Sequence, residues 1–246
     1  MAPFGLSALR SLLGRGVGNT PWQPPESSWS RRFGLGWESP YTVRYASNLD
    51  DGPDHGMPLG GFGAGCLGRS PSGAFNLWNL DGGEHWFGSI PDCQFSLWEQ
   101  QGEDVRAHAL ATAPDRDDTY PSGGTPLSAW QWYPASTQGR STGTYAARYP
   151  LSWTHHEDVY RAGVLCEAFS PILPGDYQRT SYPVAVFRWQ FSNPTDQPLE
   201  LSLLLCWRNT VGWFTNTDAA AEVHFRDDGS PCLLYTSDAA DEVSCV

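Results

Sequence analysis

Asp81 and Glu84 stand three residues apart, beside His85 and Trp86, in the stretch Leu77-Trp78-Asn79-Leu80-Asp81-Gly82-Gly83-Glu84-His85. Two carboxyl groups near aromatic cover are raw material for acid and nucleophile duty, because an apolar surrounding raises one carboxyl pKa while a polar one leaves its neighbour ionised. Glycoside hydrolysis uses such a pair, held ~5–5.5 Å apart when configuration is retained. Three-residue spacing on a glycine-broken segment fixes no such distance. The spacing therefore assigns no catalytic residue. The other reading places Trp78, Asp81, Glu84 and His85 at a substrate rim or a domain interface, where the Gly82-Gly83 turn lets the backbone approach a partner closely.

Three further groups invite a chemical reading. Gly63, Gly65 and Gly68 spell GxGxxG, which binds a dinucleotide only as strand, turn and helix with the pyrophosphate on the helix N-terminus. Arg69-Ser70-Pro71-Ser72-Gly73 follows and opposes a crossover helix, and no apolar strand precedes. Asp50, Asp51 and Asp54 beside His55 suggest a cation site, but such clusters arise more often because Asp caps turns with its own side chain. The six cysteines, at 66, 93, 166, 206, 232 and 245, lack the close pairing of zinc ligands. Cys66, Cys166 and Cys206 sit in apolar or glycine-rich settings and read as small buried hydrophobes with reduced thiols. No metal and no organic cofactor is expected.

The elements that would position these residues are strands. Phe95 and Leu97 alternate with Ser96 and Trp98, Gln101 to Asp104 makes a turn, and Val105, Ala107 and Ala109 alternate again. Tyr149–Thr154 and Val164–Phe169 read as strands. Ala185, Phe187, Trp189 and Phe191 share a face, Asn193 to Pro198 is a turn, and Leu199, Leu201, Leu203, Leu205 and Trp207 form the next apolar face. Val223 and Phe225 suggest one more strand. Residues 111–146 read as a long loop broken by Trp130-Gln131-Trp132-Tyr133, aromatics that either meet a sugar or pin the loop to the core. No segment carries a sustained helical period, so the expectation is an all-β fold, a large antiparallel β-sandwich. Residues 1–34 read as an arm or linker, 35–231 as the sandwich.

A chain of 246 residues with formal charge −12, whose fifteen basic residues are all Arg, has no basic cluster for nucleic acid or an anionic membrane. No apolar run reaches the ~20 residues of a membrane span, and Met1–Thr20 lacks the long apolar core of a signal peptide. A cytoplasmic location follows as an expectation. The twelve Trp serve core packing, sugar stacking or both, and a free-standing carbohydrate-binding sandwich with Trp78, Trp86, Trp130 or Trp132 as platforms is the alternative function.

Several ordered motifs resemble one family. Pro58-Leu59-Gly60-Gly61-Phe62-Gly63-Ala64-Gly65, then Gly68-Arg69, Gly73-Ala74-Phe75-Asn76-Leu77-Trp78 and Pro91-Asp92-Cys93-Gln94-Phe95-Ser96 are similar to the N-terminal domain of glycoside hydrolase family 116, the non-lysosomal glucosylceramidases, or bile-acid β-glucosidases, and their bacterial relatives. The resemblance continues at Tyr149–Trp153, Glu167–Pro171 and Pro183–Phe187 and spans about residues 35–215. It implies a retaining β-glucosidase with an N-terminal β-sandwich and a C-terminal (α/α)6 barrel, the barrel carrying the nucleophile and the acid/base. Neither residue transfers to a position here. The implied partners are the chain's own C-terminal barrel and, in the intact enzyme, a β-glucoside. Cys232 to Glu242 resembles translated sequencing-adapter read-through, so residues 232–246 are expected to be an artefact and the natural frame to continue past Pro231.

Overall fold

Alternating apolar and polar residues become strands wherever one face can be covered, and this chain does so repeatedly. The computed structural model describes residues 22–33, 56–80, 86–114 and 126–208, with two further strands at 223–225 and 231–233. In chain order the strands are Trp29–Arg32 (β1), Met57–Leu59 (β2), Cys66–Arg69 (β3), Phe75–Asn79 (β4), Trp86–Phe87 (β5), Gln94–Gln101 (β6), Asp104–Ala109 (β7), Ser136–Thr137 (β8), Arg140–Ser141 (β9), Gly143–Arg148 (β10), Leu151–His156 (β11), Gly163–Phe169 (β12), Val186–Ser192 (β13), Glu200–Cys206 (β14), Val223–Phe225 (β15) and Pro231–Leu233 (β16). A short helix, Tyr177–Thr180 (α1), precedes β13.

A five-stranded sheet in the order β1-β10-β11-β12-β13 forms one layer. A three-stranded sheet β14-β6-β7 and a four-stranded sheet β2-β3-β4-β5 pack against it. The strand pairs within these sheets are antiparallel. The protein is thus an all-β sandwich, as the sequence pattern predicts. Its core joins Phe75 and Trp78 of β4, Phe95 and Leu97 of β6, Tyr145 of β10 and Val164 of β12, with Phe187 and Trp189 of β13 packed on them. The rings meet edge to face, Phe95 lying 5.1 Å from Phe187 and 5.0 Å from Trp189 between centroids, an arrangement favoured by the ring quadrupoles.

Arg69 crosses this core. Its guanidinium, only 2% exposed as a residue, donates from Nη1 to Thr154 Oγ1 at 3.0 Å and from Nη2 to the Leu110 carbonyl at 3.1 Å. It also lies over the rings of Phe95 and Trp189. Nearby, neither ring nitrogen of the buried His156 bonds a protein group. Burial holds its pKa well below the usual imidazole range, with Arg69 and His155 acting in the same direction, so the ring is neutral.

One connection is left open by the sequence and one expectation changes. The strands around Phe187 and Leu203 do not pair with each other: β14 pairs with β6, Leu203 opposite Leu97 and Leu205 opposite Phe95. The Asn193–Pro198 turn carries the chain from one sheet to the other. Alternation cannot separate these outcomes, because two apolar faces are satisfied equally by lying in one sheet or in facing sheets. The turn is built as expected, with Asn193 Oδ1 accepting from the Thr195 backbone at 2.9 Å, and Gln101 Nε2 donates to Thr195 Oγ1 at 3.0 Å.

The change concerns the arm. Trp29–Arg32, inside the stretch whose composition reads as linker, is an edge strand on β10. Phe33 follows it into the core, filling the space left by Gly143: a Cβ there would lie 2.3 Å from the ring. Arg32 Nη1 donates to Glu157 Oε1 at 2.9 Å and to Thr144 Oγ1 at 2.7 Å. His155 Nδ1 lies 3.1 Å from the same carboxylate oxygen. Burial opposes ionisation of Glu157, yet hydrogen bonds from His155 and Arg32 outweigh it and bring its pKa down to about 2.

A depressed folded-state pKa contributes stability that is present above the ordinary value of 4.5 and lost as pH falls towards 2. Chemical denaturation of Glu157→Gln beside the parent chain should therefore show a stability gap that is full at pH 6 and closes as pH drops to 2.5. A gap of constant size would show that ionised Glu157 does not fasten β1.

Candidate functional site

The glycine-rich stretch forms a hairpin loop between β2 and β3, not a phosphate cradle. β3 pairs antiparallel with β2 and β4, and no helix follows it before β4. This removes the strand-turn-helix geometry on which nucleotide binding depends. The loop is instead locked to two other segments.

On one side, the Phe62 backbone donates to the Thr180 carbonyl at 3.0 Å. The Gly60 backbone donates to Ser170 Oγ at 2.6 Å, and that hydroxyl donates onward to the Val184 carbonyl at 3.1 Å. Gly61 lies so close to Ser181 and Tyr182 that a Cβ would come within 2.4 Å of the Tyr182 carbonyl. On the other side, a Cβ at Gly65 would lie 2.3 Å from the Asn79 carbonyl at the end of β4. The loop therefore bridges the Ser170–Tyr182 segment to the start of the connection between β4 and β5.

The Ser170–Tyr182 segment closes on itself. Thr180 Oγ1 donates to the Leu173 carbonyl at 3.1 Å and accepts from the Leu173 backbone at 2.9 Å. Asp176 Oδ1 accepts from the Arg179 backbone at 3.0 Å and caps α1. These bonds hold large rings outward: Phe62 is 58% exposed, Tyr177 79% and Tyr182 51%. A rim of aromatics on a backbone this constrained offers apolar area at small ordering cost.

The four residues singled out in the sequence are distributed as follows. Trp78 is fully buried, its indole donating to the Gly88 carbonyl at 2.9 Å. Its ring packs on Trp207 at 5.6 Å and on Phe75 at 6.3 Å, so it is part of the core and not of the rim. Asp81, Glu84 and His85 lie outside the described residues, as does the Asp50–His55 cluster. Their connection leaves β4 after Asn79 and rejoins the sheet where Trp86 pairs with Trp78.

The buried carboxylates that are described have structural partners. Glu99 is fully buried and accepts from the Arg161 backbone at 2.9 Å and the Ala162 backbone at 2.8 Å. Glu167 accepts from the Trp153 indole at 3.1 Å and pairs with Arg188 at 2.6 Å. Arg161 and Asp104 form a further ion pair at the β6–β7 turn. Burial pushes the thiols of Cys93 and Cys166 up to about 11, away from thiolate chemistry. Among the described residues no three metal-ligating side chains converge. No helix among them is long and apolar enough to cross a membrane.

The aromatic run in the long loop divides. Tyr133 is buried, its hydroxyl donating to the carbonyls of Thr142 at 3.0 Å and Glu157 at 2.9 Å, so it pins the loop. Trp130 and Trp132 lie half-buried with centroids 6.1 Å apart. Sequence reasoning did not find the Ser170–Tyr182 segment as a partner of the glycine loop, because backbone-to-backbone contacts leave no residue-type signature.

Sheet order and core make this chain an antiparallel β-sandwich domain. Residues 56–244 match the family described as beta-glucosidase 2, glycosyl-hydrolase family 116 N-term, and the chain belongs to that family. The match starts beyond the arm and runs through residues 232–244.

The glycine loop gives a paired test. Gly63 and Gly65 both have positive φ, 73° and 77°, which costs an L-residue ~1–2 kcal/mol. Gly63 has open space around its Cβ position, whereas Gly65 meets the Asn79 carbonyl. Gly63→Ala should lose only that conformational term. Gly65→Ala should lose clearly more in equilibrium denaturation and raise proteolysis of the β4–β5 connection. Equal losses would show that the loop is not pressed onto β4.

Proposed function

We propose that this domain is the non-catalytic N-terminal sandwich of a retaining β-glucosidase, bracing a catalytic half that follows it in the polypeptide. The observation that carries this is the rim. Phe62, Tyr177 and Tyr182 are held outward by loops whose backbones are tied to one another, which is how a surface built to receive another folded body differs from a stray exposed ring. On this reading the residues after Asn79, which Gly65 of the same loop touches, carry Asp81, Glu84 and His85 towards the substrate entrance. The reading also agrees with the structural engagement of Glu99 and Glu167 and with a family description that places the domain at the N-terminus of a β-glucosidase. The substrate class is a β-glucoside, glucosylceramide being one of those that the sequence resemblance names, and the compartment is the cytosol. Hydrolysis with retention in the adjoining barrel needs neither metal nor organic cofactor.

The purified chain should give no turnover of a chromogenic β-glucoside above a mock purification. Turnover that rises with chain concentration and survives an orthogonal second purification would refute the division of labour.

The half-buried Trp130–Trp132 pair favours a second reading, a sugar-binding module, since two neighbouring indoles tilted by 44° offer large amphipathic faces of the kind that cover a pyranose ring. Titration with soluble β-glucan, followed by tryptophan emission, separates the two. Bracing predicts no saturable change. A saturable change abolished by Trp130→Ala would favour binding.

A further inference from the structure

His156 is the last residue of β11 and pairs with Gly143, the first of β10. The side chain of Glu157 after it is partly exposed, so His156 sits one residue from the surface. Its own ring turns inward and the residue is 4% exposed. Ring centroids lie 4.8 Å away at Tyr133, 5.6 Å at Phe33 and 6.2 Å at Trp189. Aromatic faces thus surround a base whose two nitrogens bond no protein group. The charges around it oppose a second cation. Arg69 of β3 lies over the Trp189 ring on which His156 stacks, and it disfavours the imidazolium. Tyr145 of β10 and Cys166 of β12 share its face of the sheet; burial keeps both of them, and Tyr133, protonated and neutral. His108 of β7, beyond Tyr133, is itself pushed towards the neutral form by burial and by Arg106. Glu99 of β6 is engaged by the Arg161 and Ala162 backbones. His155 and Glu157 alternate to the other face of β11, where they meet each other. A proton on His156 would therefore set an imidazolium near a guanidinium with no carboxylate bonded to either, away from water, which is costly.

We propose that His156 is an acid-operated latch: protonation in mild acid displaces Phe33 and frays β1 from β10, while β10 to β13 stay paired. What closes over the ring on this side is lightly anchored. β1 has four residues and pairs on one edge, with β10. Phe33 is held by its backbone bond to the Gly143 carbonyl at 2.9 Å and by a ring that fills the space above Gly143. β11, by contrast, has a strand on each side. Moving Phe33 aside gives the imidazole a way to water at the strand end without breaking a bond of β11, and few buried contacts make such an end the first to open. The window is distinct from that of Glu157. A base held neutral in the folded chain contributes stability that is present above the ordinary imidazole value of 6.5 and is lost as pH falls below it. The contribution of Glu157 is lost only as pH falls below 4.5. Between these values the carboxylate still fastens β1, and the latch is what responds.

Hydrogen exchange on the full chain at pH 8 and pH 5, corrected for the intrinsic pH dependence of exchange, tests this in peptides covering 29–33 and in peptides from β10 to β13. The 29–33 peptide should open about thirtyfold more at pH 5 than at pH 8, the ratio set by an open-state imidazole titrating at 6.5, while the β10 to β13 peptides keep their protection. His156→Phe, which cannot take a proton, should abolish the difference. If that variant does not fold, the ring signals of His156 in the parent chain decide: they should stay those of a neutral imidazole at pH 5 in the closed form. Opening of 29–33 that does not change between the two pH values, or that changes equally in His156→Phe, would overturn the inference. So would a His156 ring that titrates near 6.5 while β1 stays protected, or β10 to β13 loosening together with β1.

Discussion

A single guanidinium joins the layers. Arg69 leaves the four-stranded sheet, donates to Thr154 in the five-stranded sheet and to the Leu110 carbonyl just past β7, and lies between rings from β6 and β13. None of these partners is a carboxylate. Taking a charge out of water is costly unless it is bonded; two directed hydrogen bonds and two aromatic faces offset that cost here, a cation over a ring being worth ~2 kcal/mol or more when desolvated. The arrangement works only if all three sheets are in register. A slip of one residue in β11 would replace Thr154 with a neighbour on the opposite face. Arg69 therefore specifies how the layers meet, beyond whatever stability it adds.

The acids follow the same logic. Glu99 gathers the backbone where β12 begins, Glu167 ties β11 to β13 across β12, and Glu157 holds β1. Each sits where two segments distant in sequence meet and would otherwise leave donors unpaired. Sequence spacing gives such carboxylates the same appearance as a catalytic pair. Their surroundings separate the roles, since a group engaged by backbone N–H donors in the core has no path to a substrate.

Much of the architecture was legible in advance because period-two alternation reports a half-buried strand directly. β6, β7, β11, β12 and β13 lie where the alternation puts them. What alternation cannot report is which apolar face meets which. The strands around Phe187 and Leu203 were readable as strands and not as members of opposing sheets, because the Asn193–Pro198 turn serves either connection. β1 was hidden in a stretch rich in Ser and Arg, whose anchoring depends on Phe33, Arg32 and partners more than a hundred residues away. The glycine stretch declared tight backbone contact through composition alone, but its partner at Ser170–Tyr182 could not be found, since carbonyls and amides look the same at every position.

At the rim, the Gly60 and Phe62 amides are bonded to Ser170 and Thr180, and the rings of Phe62, Tyr177 and Tyr182 face outward. Whatever docks there meets side chains and need not be an extended strand. A folded domain suits such a surface, because a backbone already tied down has little order left to lose when it is covered. Bracing and the closure of the sandwich core are thus separable, since the outward rings can take a partner without any bond of the core being exchanged.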